Sequence, residues 1–134
     1  MLRSTLGLFL LALGVHGLPG VTKTEVKVPG WPSGSFPLSM AILSCTAGAQ
    51  TGVLKVSGMQ GVDFSKTPPA RPPGGITNET LQTMTNIGTV FKTAGADLAD
   101  DATGCIAWLK DFGDFEACNH EQGSNPKTRP AGDD

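Results

Sequence analysis

No tyrosine occurs in the chain, and aromatic residues make up only 6% of its 134 positions. Histidine appears twice and cysteine three times. One histidine, His16, lies in an apolar leader, so His120 is the only other imidazole for catalysis or metal binding. That scarcity excludes most zinc sites and makes any histidine-dependent catalysis rest on one side chain. Charge is also sparse: ten basic residues face twelve acidic ones, a net −2. Such a balance argues against a nucleic-acid binder or a cationic membrane-lytic peptide. Beyond the leader no apolar run approaches the roughly twenty residues needed to span a bilayer, so no membrane anchor is expected. The polar ending NPKTRPAGDD lacks the hydrophobic tail of a GPI signal.

What is present begins with that leader. Met1-Leu2-Arg3 carries one positive charge, and Leu6 to Val15 (LGLFLLALGV) is an uninterrupted apolar core. This is the charged start and short hydrophobic run of a secretory signal peptide over residues 1–17, with cleavage expected before Leu18. The expected location is therefore extracellular. Charge divides along the remainder. Lys23, Lys27, Lys55, Lys66 and Arg71 face only Glu25 and Asp63 in the first part, whereas ten carboxylates face four basic residues from Pro72 onward.

Periodicity changes partway along. Thr24–Val28 alternates, and Phe36, Leu38, Met40 and Ile42 recur at every second residue, the period of a half-buried strand. Thr46–Gln50 reads as a turn and Thr51–Ser57 as a further strand, so residues 18–65 form a β-rich hairpin region. Lys66 to Gly75 (KTPPARPPGG) holds four prolines in six residues, which favours an extended polyproline spacer. Leu81, Met84, Ile87, Phe91, Ala94 and Leu98 then fall three or four apart, and Leu98, Ala102, Cys105, Leu109 and Phe112 continue that spacing. Residues 76–118 are thus read as helical, either one bent helix or two in succession. The polar stretch 119–134 is expected to be a disordered tail.

These pieces specify a small α+β domain with an N-terminal antiparallel hairpin region and a C-terminal helical segment. Leu81, Met84, Phe91, Leu98 and Leu109 would pack on the Phe36, Leu38, Met40 and Ile42 face. An all-β sandwich is the alternative. Leu43-Ser44-Cys45-Thr46-Ala47 resembles the first cysteine strand of immunoglobulin variable-type domains, and Asp101 to Cys105 resembles the approach to their second cysteine. That family also has a core tryptophan a dozen residues after the first cysteine and a tyrosine two before the second. Here Ser57-Gly58-Met59 and Thr103 stand at those places.

Three cysteines entering an oxidising compartment leave one over. Pairing Cys105 with Cys118 closes the shorter loop and leaves Cys45 unpaired or available for a disulfide-linked homodimer. Cys45 with Cys105 is the competing pair. Asn78-Glu79-Thr80 is an N-glycosylation sequon. Asp97, Asp100, Asp101, Asp111, Asp114 and Glu116 form an acidic run that could attract calcium, but the EF-hand glycine is replaced by Ala102. Asp111-Phe112-Gly113 matches a kinase triplet without its companion motifs. Cys118 and His120 stand two residues apart, on opposite sides of any strand. No metal site, cofactor or catalytic set is expected. The function expected is a secreted, non-catalytic protein that contacts an extracellular protein or matrix component. A structural matrix protein with calcium or mineral affinity, or a venom-type effector, are the alternatives.

Overall fold

A computed structural model describes residues 20–32, 39–49 and 51–124. The expected signal peptide, Phe36, Leu38 and residues 125–134 lie outside them. Three strands, β1 (Val21–Val26), β2 (Ala41–Thr46) and β3 (Gly52–Val56), form an antiparallel sheet in the order β1-β2-β3. Helices follow: α1 (Gly75–Thr93), the single turn α2 (Leu98–Asp101) and α3 (Phe115–Ser124), the last entered through a 3-10 turn at Phe112–Asp114. The fold is the α+β arrangement of N-terminal hairpins and C-terminal helices, not a sandwich.

Cross-strand pairing sets Val26 opposite Ala41 and Ala41 opposite Val56, while Thr24, Leu43 and Leu54 form the next row. Strand side chains alternate between faces, so these two rows share one side of the sheet. Val26, Val28, Ala41 and α1's Val90 make the buried cluster, with Trp31, Leu43, Leu54, Val56, Met59 and Ala94 against it. The buried face is therefore one residue out of step with the expected one. Ile42 falls in the outer row between Glu25 and Lys55, and Met40 precedes β2. The reason is steric. Ala41 and Val90 are both wholly inaccessible to solvent, and the small Ala41 side chain lets the helix approach the middle strand. A one-residue offset exchanges every side chain between faces.

Helix α1 is continuous despite Gly88 and a run of threonines. Thr83, Thr85, Thr89 and Thr93 each donate a hydroxyl hydrogen bond to the carbonyl four residues earlier, at 2.7–2.8 Å. Those bonds satisfy side chains that would otherwise compete with the helix backbone. The helix ends in a Schellman motif: Ala96 N–H donates to Phe91 O at 3.0 Å and Gly95 N–H to Lys92 O at 3.1 Å. Gly95 takes a φ of +80°, a left-handed conformation suited to glycine. This stop corrects the expectation of helix continuing through Leu109 and Phe112. Only Leu98–Asp101 is helical, and residues 102–111 form no helix or strand. Cys118 is buried, and α3 packs against α1, reaching through residues 119–124 of the stretch expected as a tail.

The proline-rich stretch does not run out as an extended spacer. Asp63 N–H donates to Ala70 O at 2.8 Å in an isolated antiparallel bridge, closing a loop at its start. Inside it, Asp63 Oδ1 accepts from the Ser65 hydroxyl at 2.6 Å and the Ser65 N–H at 3.0 Å. Those two bonds, chiefly the hydroxyl's, with Lys66 adding its charge, hold the Asp63 carboxyl below the usual aspartate range.

Candidate functional site

The segment after α2 presents the largest exposed apolar side chains of the C-terminal half. Trp108 is 91% exposed, Phe112 81% and Ile106 79%. Phe115, 45% exposed, stacks on Phe112 with ring centroids 5.3 Å apart and planes inclined by 16°. Local hydrogen bonds shape the flanks of this segment. Asp97 Oδ1 accepts from Ala99 N–H at 2.8 Å while Asp101 Oδ2 accepts from Asp97 N–H at 2.7 Å, a reciprocal cap on α2. Asp111 Oδ1 accepts from Gly113 N–H at 2.8 Å and starts the 3-10 turn. Three members of the acidic run thus serve as caps. Among the described residues no three His, Cys, Asp or Glu side chains converge on a common point.

What anchors α1 to the loop after β3 is a residue absent from the sequence-based candidates. Asn86, 2% exposed on α1, donates through Nδ2 to Gln60 O at 3.0 Å and Val62 O at 2.9 Å. Its Oδ1 accepts from Gln82 Nε2 at 3.0 Å. Beside it, buried Gly61 touches α1 so closely that a Cβ there would lie 2.1 Å from Glu79 O. A lone asparagine and a lone glycine carry no periodic signal, though a polar residue amid helical apolar spacing could have marked the position.

All three cysteines are free in the structure: Cys105 exposed, Cys45 half-buried and Cys118 buried. Cys45 lies opposite Gly52, where an added Cβ would meet its sulfur at 2.6 Å. The accessible thiol is therefore that of Cys105. Cys118 Sγ accepts from Gln122 Nε2 at 3.6 Å, whereas His120 is exposed and its Nδ1 lies 3.4 Å from Glu121 Oε1. Two residues apart on a helix is about 200° of rotation, so the thiol and imidazole point to different sides. Asn78 is exposed near the start of α1 and donates through Nδ2 to Pro73 O at 2.5 Å.

A shallow groove lies between β1 and the end of α1, lined by residues including Thr24, Val26, Leu43, Thr93 and Ala94. No helix of the described residues is long and apolar enough to cross a membrane. No protein-family model matches the chain, and no curated protein matches it.

Proposed function

We propose that the chain is a secreted, non-catalytic extracellular protein that acts by contact with another protein or a matrix component, through the segment from Ile106 to Phe115. The observation carrying this reading is Trp108 at 91% exposure, in a segment that also exposes Ile106 and the stacked Phe112 and Phe115. Large aromatic side chains held out of the core are the groups that supply most of the energy at protein interfaces. The separation of Cys118 from His120 and the use of Asp97, Asp101 and Asp111 as caps support a role without chemistry at these groups. The leader over residues 1–17 supports export, and Asn78 is the proposed glycan acceptor.

The test is binding of the purified, fluorescently labelled chain to extracellular matrix laid down by cultured cells. Saturable binding that falls at least fivefold in a Trp108→Ala/Phe112→Ala variant is the expected result, since two central aromatic truncations together exceed about 1 kcal/mol. Equal binding by variant and parent overturns the assignment of the surface.

A further inference from the structure

The sequon at Asn78 is divided by the fold. Its asparagine is exposed, but Thr80, two residues on, is only 5% exposed. An acceptor sequon requires both the asparagine amide and the hydroxyl of the residue two positions later. Helix α1 leaves the asparagine exposed and buries most of the threonine. The amide itself is engaged, with Nδ2 donating to the Pro73 carbonyl at 2.5 Å. Gly74 makes room for that bond: its φ is +110°, and a Cβ there would lie 2.1 Å from Nδ2. With α1 in place, the amide is therefore engaged and the threonine is largely buried.

We propose that Asn78 accepts an oligosaccharide only before α1 docks, and that the folded chain is no longer an acceptor. The inference rests on the secretory reading above, which brings the chain to a lipid-linked oligosaccharide donor. In the transfer, Asn78 Nδ2 attacks the anomeric carbon of the donor sugar. A carbon–nitrogen bond forms, the bond from that carbon to the lipid pyrophosphate breaks, the pyrophosphate leaves with its lipid, and the nitrogen gives up one proton. One N–H remains on Nδ2, enough for the bond to Pro73 O. The glycosylated chain therefore keeps a donor for the first turn of α1.

The order of events is tested with the full chain made without glycan in bacteria, a purified oligosaccharyltransferase and a lipid-linked oligosaccharide. The folded parent is compared with Val90→Asp, an unfolded comparator because it places a charge at a wholly buried position. Ala41→Asp is a second comparator at the other wholly buried position, and circular dichroism verifies the loss of structure in both. Transfer is read by intact mass, with Asn78→Gln as the blank. Unfolded chains are expected to be modified about tenfold faster than the folded parent or more, because the folded chain reacts only through rare local opening. Equal rates overturn the proposal. Failure of the unfolded chains to accept sugar also overturns it, by removing the sequon itself. Export is read separately, from the culture medium, so a failed secretory reading is not confused with either result.

Discussion

Replacing Asn86 with alanine removes the one side chain that ties the loop after β3 to α1 through two hydrogen bonds. The carbonyls of Gln60 and Val62 each lose a donor now held at about 3 Å. Gln60 is exposed and Val62 half-buried, so water can replace the lost donors in part; at about 0.5–1.5 kcal/mol for each bond, a net loss of ~1–3 kcal/mol is expected. That is a large share of the 5–15 kcal/mol typical of a folded domain. Asn86→Asp is the sharper substitution. An ionised carboxylate cannot donate, and it would set oxygens against both carbonyls, so the loss at neutral pH should equal or exceed that of alanine. Acidification should return part of it, because the protonated acid regains one donor. Gln82→Ala leaves both backbone bonds in place and should cost only about 0.5–1.5 kcal/mol. Urea denaturation followed by circular dichroism measures all three. Asn86→Ala within about 0.5 kcal/mol of the parent, or Asn86→Asp as stable as the parent, would refute the clamp.

Four further outcomes follow from the same geometry. Gly61→Ala should destabilise by about 2 kcal/mol or more, measured by denaturant midpoint, since its new methyl collides with the Glu79 carbonyl. Ala41→Leu should cost about 1–3 kcal/mol by overpacking the buried cluster that holds Ala41 and Val90, whereas Ile42→Leu, an isomeric swap at a half-buried position on the other face, should cost less. Timed alkylation with mass detection should label Cys105 first, then Cys45, and Cys118 last; simultaneous labelling of Cys118 and Cys105 would contradict their placement. The Asp63 carboxyl has a lower pKa folded than unfolded, so its contribution to stability is present above the unfolded-state value and disappears as pH falls through the folded-state one. Asp63→Asn should therefore weaken the fold at neutral pH, with the difference shrinking below roughly pH 4 in a pH series of denaturation curves.

The change from period two to helical period near residue 75 was legible in the sequence, and so were the strand pair around the Thr46–Gln50 turn and the apolar character of α1. Three particulars were not. The alternation of Phe36, Leu38, Met40 and Ile42 names one strand face without stating which face the helix needs, and small Ala41 decided it. Apolar spacing runs unbroken from Leu81 to Phe112, yet Gly95 supplies a left-handed residue that ends α1, and Phe112 is exposed on a segment that is not continuous with it. Ile106 and Trp108 lie outside that spacing. Asn86 acts through contacts 24 and 26 residues away and Gly61 through one with Glu79, which no local pattern encodes.

The most direct test concerns Trp108, whose exposure carries the proposed function. Trp31, the other tryptophan, is half-buried against Phe64 with ring centroids 4.4 Å apart, so Trp31→Phe leaves Trp108 as the sole reporter while keeping an aromatic ring in place. Acrylamide quenching of that variant should approach that of free tryptophan amide, with red-shifted, water-like emission. Protected, blue-shifted emission would mean that the Ile106–Phe115 segment packs on the body of the protein, and the contact surface proposed for it would not exist.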